Sequence, residues 1–259
     1  VPTAVERSFG AGRVELYRGP TGHITRFPRY NDPVKLLSTR CGRCGEWANC
    51  FTLICKAVGF DARWVLDVTD HVWTEIYSHQ MGRWLHADPC EATCDAPMTY
   101  ERGWGKKLSY VLAFSSEEAV DVSRRYADKW HVTVGRRMAV REAWLRDTIQ
   151  SLNTTTQAKL TPERRAMLAE RGAREEELVD ARIERAMKPE ELRGRQTGSL
   201  AWRKARGEIG SGGGGKAPSN LRVVRVCGAT GDVVHGLIFE LSNGTRLGTF
   251  LENSQEPMD

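Results

Sequence analysis

A cysteine set at the head of an amphipathic helix, with three short strands behind it, is the feature that most constrains this chain. From Gly45 to Val58, apolar residues recur at Trp47, Ala48, Phe51, Ile54 and Cys55, the i, i+3, i+4 spacing of a helix with one buried face. Gly59 follows as its C-terminal cap. Cys44 thus falls at or just before a helix N-terminus. There the unpaired N–H groups and the macrodipole favour a thiolate by about 0.3–1 kcal/mol. Ala62–Asp67, His71–Tyr77 and Arg83–Ala87 carry the β-branched and aromatic residues of strands, and Ser78-His-Gln-Met-Gly82 reads as a hairpin connection. His71 opens the second strand and Asp88 ends the third, so antiparallel pairing brings the two close. A thiol becomes a useful nucleophile when an imidazole takes its proton, and the imidazole works best when a carboxylate fixes its tautomer. Cys44, His71 and Asp88 follow in that order, which predicts acyl transfer or amide hydrolysis.

The chain has 259 residues, enough for one substantial domain with appendages or for two smaller domains. A hydrophobic fraction of 40% with 8 Trp fits a packed core. The net charge of +5 arises from 38 basic and 33 acidic residues that are interspersed, with no basic stripe among aromatics, so no nucleic-acid partner is expected. No apolar run approaches the ~20 residues of a membrane span. Glu6 and Arg7 interrupt any apolar stretch at the N-terminus, so no signal peptide is expected there. Six of the seven cysteines fall between positions 41 and 94. Reduced intracellular thiols, one of them reactive, fit this better than a secreted disulfide scaffold.

Cys50, Cys55 and Cys227 read as packing. A zinc site is the competing reading for the others, because Cys41-x-x-Cys44 and Cys90-x-x-x-Cys94 offer four thiols near metal-ligand spacing. It sits poorly with Cys44 as a helix-capping nucleophile, and it leaves Asp88 without a task. His86 reads as a satisfied polar side chain beside the site. Trp47, Trp73, Trp84 and Trp104 are core candidates that could also stack on a sugar face or shield a thiolate from water.

Further along, the first 40 residues look irregular apart from a short strand at Val14-Glu-Leu-Tyr17, a turn at Gly19-Pro-Thr-Gly22 and a short helix from Pro33. A fourth strand is expected at Ser109–Phe114. Arg136–Leu152 predicts a helix whose stripe is Met138, Trp144, Leu145, Ile149 and Leu152. Thr161-Pro162 opens another, running past Ile183 and crowded with Arg and Glu, which reads as a solvated face. Gly210-Ser-Gly-Gly-Gly-Gly215 is a flexible linker, followed by strands at Leu221–Val226, Val233–Leu241 and Thr245–Leu251 with an Asn243-Gly244 hairpin signal. The expected organisation is a core at 1–135, a helical extension at 136–209 completing it, a linker at 210–220 and a partial β segment at 221–259. The fold class is α+β.

Together these residues resemble the cytosolic peptide:N-glycanases, a branch of the transglutaminase-like cysteine amidases. The resemblance runs through Arg26-Phe-Pro-Arg-Tyr-Asn-Asp-Pro33, Thr39-Arg-Cys-Gly-Arg-Cys-Gly-Glu-Trp-Ala-Asn-Cys-Phe51, Thr69-Asp-His-Val-Trp-Thr-Glu-Ile-Tyr77, Arg83-Trp-Leu-His-Ala-Asp88 and Tyr100-Glu-Arg-Gly-Trp-Gly-Lys-Lys-Leu-Ser-Tyr110. Tyr126 fits as well, and Ser199-Leu-Ala-Trp-Arg-Lys-Ala-Arg-Gly-Glu208 looks like the close of the catalytic region. The resemblance implies a transglutaminase-like (papain-like) core with an antiparallel sheet. It implies Cys44 as nucleophile, His71 as base and then acid, Asp88 as orienter, and Trp47, Trp73, Glu75, Trp84 and Trp104 as substrate-binding residues. The implied reaction cleaves the glycosylasparagine amide of denatured N-glycoproteins, freeing the glycan and leaving Asp. Transglutaminase or cysteine-protease chemistry with the same three residues, or a silent glycoprotein-binding module, remain as alternatives. The oxyanion would be held by the Cys44 N–H and an indole N–H. The likeness also implies a cytoplasmic location and a proteasome-shuttle partner on the helices after residue 136. The family carries a structural zinc on two Cys-x-x-Cys pairs; here Gly19-Pro-Thr-Gly22 stands where the second pair is expected, so no metal or other cofactor is expected and local stability must come from packing. The tail after the linker is similar to the opening strands of jacalin-like lectin domains.

Overall fold

The structure is a computed structural model; it describes residues 1–19, 21–181, 188–195, 197 and 199, and the backbone of strands at 223–230, 234–241 and 246–250. A short helix, Ala4–Ser8 (α1), is capped by Thr3. Strands Arg13–Arg18 (β1) and Ile24–Arg29 (β2) then pair antiparallel, and Asp32 caps the helix Pro33–Thr39 (α2). The expected strand at Val14–Tyr17, the turn from Gly19 to Gly22 and the helix from Pro33 are present, while α1 and β2 stand where irregular chain was expected. Strands β1 and β2 are charged and half-exposed, which hides the alternation that normally marks a strand. Pro28 is tolerated because a two-stranded ribbon is all edge.

The expected helix is Cys44–Ala57 (α3), and Gly59 beyond it adopts a left-handed φ of 92°, which glycine accepts without penalty. Next come Ala62–Asp67 (β3), His71–Ser78 (β4), Arg83–Asp88 (β5), Thr93–Cys94 (β6), Val111–Phe114 (β7) and Ala119–Asp121 (β8). They form one antiparallel sheet in the order β6-β5-β4-β3-β7-β8. The registers Asp67–His71, Val65–Trp73, Arg63–Glu75 and Glu75–His86 put these residues, with Asp88, on one face. Trp64, Leu66, Val72 and Thr74 line the other, which α3 covers; Thr74 Oγ1 lies 2.8 Å from Thr52 Oγ1 and donates to the Ala48 carbonyl at 3.4 Å. On the first face Val65, Trp73, Val111 and Ala113 are sealed by Tyr100, Leu108, Val122 and Tyr126. Burial of each of the larger side chains is worth ~1.5–3 kcal/mol.

Among the described residues four α-helices follow: Ser123–Tyr126 (α4), Trp130–Val134 (α5), Glu142–Gln157 (α6) and Pro162–Ala181 (α7). The helix expected from Arg136 begins only at Glu142. The residues before it deliver Arg137, whose buried guanidinium pairs with Asp121 and Glu142 and lies over the Tyr110 ring at 4.4 Å. Of the expected stripe only Leu145 is buried, whereas Met138 and Trp144 are 86% and 52% exposed. Thr161 caps α7 as expected, its hydroxyl accepting from Arg164 N at 3.2 Å. The expected run past Ile183 lies outside the described residues.

The reading of α7 as a solvated face describes Glu163, Arg165, Glu170, Glu176 and Glu177, which are exposed, but not the side turned to the sheet. Arg171 is buried against Asp61 at 2.7 Å, and Arg164 reaches Asp61 and Glu117. Glu175 accepts from Arg63 at 2.6 Å and from Arg125 at 2.8 Å. The Arg and Glu crowding thus docks α7 onto the sheet by ion pairs, because the core presents buried charges instead of an apolar stripe.

Val223–Thr230 (β9), Val234–Leu241 (β10) and Arg246–Phe250 (β11) form an antiparallel sheet in the order β11-β10-β9; β10 and β11 lie within a residue of the expected strands, whereas β9 runs four residues beyond the expected end at Val226. The linker at 210–220 and Asn243-Gly244 lie outside the described residues. No helix among the described residues is long and apolar enough to cross a membrane.

Candidate functional site

Cys44 is the first residue of α3 and half-buried. Glu46, two residues on, reaches back to accept from the Arg43 N–H at 2.9 Å, the carboxylate half of a capping box. Arg29 grips the same carboxylate at 2.8 Å and Glu15 at 2.7 Å, so the β1–β2 hairpin is pinned to the start of α3. Gly42 is needed at the entry: a Cβ there would lie 2.5 Å from Glu46 Cβ.

This hairpin occupies the position where the resemblance implies a structural zinc. Its turn closes through Gly19 N to the His23 carbonyl at 2.8 Å and Gly22 N to the Gly19 carbonyl at 3.0 Å, and no thiol stands between them in the sequence. Among the described residues no three His, Cys, Asp or Glu side chains gather to hold a metal. Ion pairs, more than the packing expected from the sequence, join this wall to the nucleophile helix.

His71 enters β4 from a tight turn. Asp67 accepts from Thr69 N and Thr69 Oγ1 in an Asx-type turn, and Asp70 takes a left-handed φ of 76°, which aspartate tolerates better than most residues. Asp88 stands on the neighbouring strand, and its Oδ2 accepts from His71 Nε2 at 2.7 Å. The other carboxylate oxygen accepts from the backbone N–H groups of Cys90 at 2.8 Å and Glu91 at 3.2 Å. With Nε2 committed to Asp88, the buried Nδ1, which no other side chain satisfies, is left for the Cys44 thiol.

The electrostatics follow from that geometry. Burial pushes the Cys44 thiol up, but the hydrogen bond and charge of His71 outweigh it and lower the thiol below its ordinary value. Burial also disfavours the His71 cation, yet Asp88 and the thiolate lift it to about 9. Asp88 would likewise be raised by burial, and its bond to His71 keeps it below the usual carboxylate range. Both shifts favour a thiolate–imidazolium pair beside a carboxylate. Such an arrangement can attack a carbonyl and protonate a leaving nitrogen. Cys55 is the contrast: burial, helped by Cys94, pushes its thiol up to about 12, and it stays inert.

The other residues expected at the site divide. Trp47 is half-buried and its Nε1 donates to the Gly42 carbonyl at 3.1 Å. Trp104 packs edge-on to His71, ring centres 4.9 Å apart, and its buried Nε1 has no hydrogen-bond partner. Trp73, Glu75 and Trp84 are corrected. Trp73 and Glu75 are fully buried and Trp84 is 3% exposed, so none of the three can touch a substrate. Trp73 donates to Tyr126 Oη at 2.8 Å, Tyr126 donates to Glu75 at 2.6 Å, and Trp84 lies under the Arg63 guanidinium at 4.1 Å. Pleating explains the error, since alternate residues of β4 beside His71 point into the same core. Tyr100 and the Arg29–Glu46 pair were not singled out. For Glu46 the signal was available: a carboxylate placed to fold back onto a helix N-cap.

The chain matches the family model of the transglutaminase-like superfamily over residues 10–89, which contains Cys44, His71 and Asp88, and that of the Rad4 transglutaminase-like domain over 67–180. It is 56% identical over 211 residues to the human peptide-N(4)-(N-acetyl-beta-glucosaminyl)asparagine amidase, a match covering 81% of this chain and 32% of that protein. The relative from Arabidopsis thaliana is 46% identical over 230 residues, covering 87% of this chain and 32% of the relative. The chain therefore spans about a third of these relatives. A crystal structure of Rad4–Rad23 bound to a 6-4 photoproduct lesion matches with a TM-score of 0.42 and 19% identity, over 57% of this chain and 37% of that one. That likeness is too slight to carry an argument. With its α+β core and these sequence matches, the chain belongs to the transglutaminase-like superfamily, and over four-fifths of its length it is homologous to the peptide-N(4)-(N-acetyl-beta-glucosaminyl)asparagine amidases.

Proposed function

We propose that this chain is the catalytic region of a cysteine amidase that hydrolyses the glycosylasparagine amide of denatured N-glycoproteins. The observation that carries this is the His71–Asp88 bond at 2.7 Å beside a half-buried thiol of lowered pKa, inside the stretch shared with the amidase relatives. The Cys44 thiolate attacks the side-chain carbonyl carbon. As the C–N bond breaks, the His71 imidazolium gives its Nδ1 proton to the departing glycosylamine nitrogen. Neutral His71 then takes a proton from water, whose oxygen attacks the thioester; Cys44 leaves as thiolate and Asn has become Asp. The Cys44 N–H and the unpaired Trp104 Nε1–H are the donors offered to the oxyanion. Trp47, half-exposed at the helix start, is the remaining aromatic for substrate contact.

Residues 1–135 form the core in this proposal and 136–209 complete it. In support, Glu191 accepts from Met98 N at 3.0 Å, and the Arg193 carbonyl lies where a Cβ on Gly103 would fall, at 2.3 Å. The exposed Met138 and Trp144 near and on α6 support a protein partner there, for which a proteasome-shuttle protein in the cytoplasm is the proposed identity.

The test is mass analysis of a denatured glycopeptide after treatment. Free glycan together with a peptide carrying Asp in place of Asn is expected. Cross-linked peptides or backbone cleavage would instead indicate transglutaminase or protease chemistry, and binding without release would indicate a silent module.

A further inference from the structure

Asp88 is held by more than His71. Its Oδ2 also accepts from Tyr100 Oη at 3.0 Å, and Tyr100 Oη lies 2.6 Å from His86 Nε2. The far nitrogen of that ring, His86 Nδ1, accepts from the Ala96 backbone N–H at 3.3 Å. A backbone N–H can only donate, so Nδ1 is bare. Burial pushes His86 down to about 4, against the pull of Asp88, Glu75 and Asp95 and with that of His71, so the ring is neutral at pH 7 and its one proton is on Nε2. That proton must point at Tyr100 Oη, which leaves the Tyr100 hydroxyl proton free to point only at Asp88.

We propose that His86 and Tyr100 are positioning residues: a one-way hydrogen-bond chain, Ala96 N–H to His86 to Tyr100 to Asp88, that fixes the carboxylate on which His71 turns. It rests on the reading of Cys44, His71 and Asp88 given above. The chain is sealed from water, since His86, Tyr100 and Asp88 are each at most 1% exposed. Register places it there: His86 and Asp88 alternate onto the same face of β5, opposite Glu75 and next to His71. Together the donors number four on Asp88, two to each oxygen, so the carboxylate plane cannot rotate without breaking one of them. Neither His86 nor Tyr100 reaches the thiol or a substrate. Their hydrogen bonds act through Asp88, in the way that outer partners orient metal-bound histidines; the Tyr100 ring also packs edge-on to His71, centres 5.2 Å apart, a contact that Tyr100→Phe keeps.

The experiment reads Cys44 directly, by its rate of alkylation with iodoacetamide across pH, beside kcat and KM for glycan release from a denatured glycopeptide. The proteins are wild type, Tyr100→Phe, His86→Leu and His86→Gln, each checked by circular dichroism and thermal melting. Glutamine can accept from Ala96 N–H and donate to Tyr100 as the neutral imidazole does. In Tyr100→Phe and His86→Leu, Cys44 alkylation at pH 7 and kcat should both fall by about tenfold or more with KM changed less than about twofold. His86→Gln should restore most of both. Folded variants with the wild-type alkylation profile, or His86→Gln as impaired as His86→Leu, would overturn the chain. Should His86→Leu not fold, Tyr100→Phe and His86→Gln decide alone. If wild type releases no glycan while alkylation still shifts as described, the proposed substrate is wrong and the hydrogen-bond chain stands.

Discussion

Replacing Arg63 by methionine tests the claim that charge holds this fold together. Arg63 is fully buried, with Nε 2.5 Å from Glu75, Nη2 2.6 Å from Glu175 and Nη1 3.6 Å from Glu118, and its guanidinium stacks 4.1 Å from the Trp84 ring. Methionine keeps the aliphatic stem and removes the charge. Glu75, itself fully buried, is then left with Tyr126 and with Arg125 at 3.4 Å. Removing one partner of a buried pair costs ~3–5 kcal/mol, because an uncompensated charge stays in the interior. At roughly 2–4 °C per kcal/mol for domains of this size, the melting temperature should drop by roughly 6–20 °C. Glu75→Gln alone also destabilises, but Arg63→Met with Glu75→Gln together should cost at least ~1 kcal/mol less than the sum of the two. Urea unfolding followed by far-ultraviolet circular dichroism measures all three. A loss below ~1 kcal/mol for Arg63→Met, or strict additivity in the double variant, would refute the reasoning.

The ion pair at the site sets the pH dependence: kcat/KM should be bell-shaped, rising as Cys44 ionises below the ordinary thiol range and falling near pH 9 as His71 loses its proton. A profile still climbing beyond pH 10 would contradict this. Because His71 is raised on folding from 6.5 to about 9, its contribution to stability is complete below pH 6.5 and is lost as the pH rises through about 9, which urea titrations across that window check. Asp88→Asn should keep the fold and lower kcat by about 10³–10⁴, the scale known for such a change in a serine-protease triad; a loss under tenfold would count against Asp88 as orienter. Trp73→Ala should cost ~3–5 kcal/mol of stability, and a stable variant with only a raised KM would restore Trp73 to substrate binding.

How much of this was legible depends on which forces leave a mark in the sequence. Strand β3 was read with its observed bounds, and α3, β4 and β5 to within a residue or so, because apolar periodicity and glycine punctuation are local signals. The pairing of His71 with Asp88 followed from strand order alone. Less was visible where charged residues do what apolar ones usually do. Helix α7 has no apolar stripe to announce its docking, since Arg171 and Glu175 dock it by pairing with Asp61, Arg63 and Arg125. The second strand of the N-terminal ribbon was missed for the same reason: its anchor is Glu15–Arg29–Glu46, a network of residues distant in sequence. Three substrate assignments failed because Trp73, Glu75 and Trp84 share the sheet face of His71 and Asp88, yet Tyr100, Tyr126 and Arg63 cover them there, which composition around a nucleophile does not reveal. His86, read as a satisfied polar group, is satisfied indeed, but its partner Tyr100 leads straight to Asp88.

The sharpest test of the account is to mix the protein with a denatured glycopeptide, quench in acid within a turnover, and map covalent adducts by peptide mass spectrometry. A thioester joining the deglycosylated peptide to Cys44 is predicted, absent in Cys44→Ala along with glycan release. Glycan release that survives Cys44→Ala, or an adduct on another residue, would contradict it.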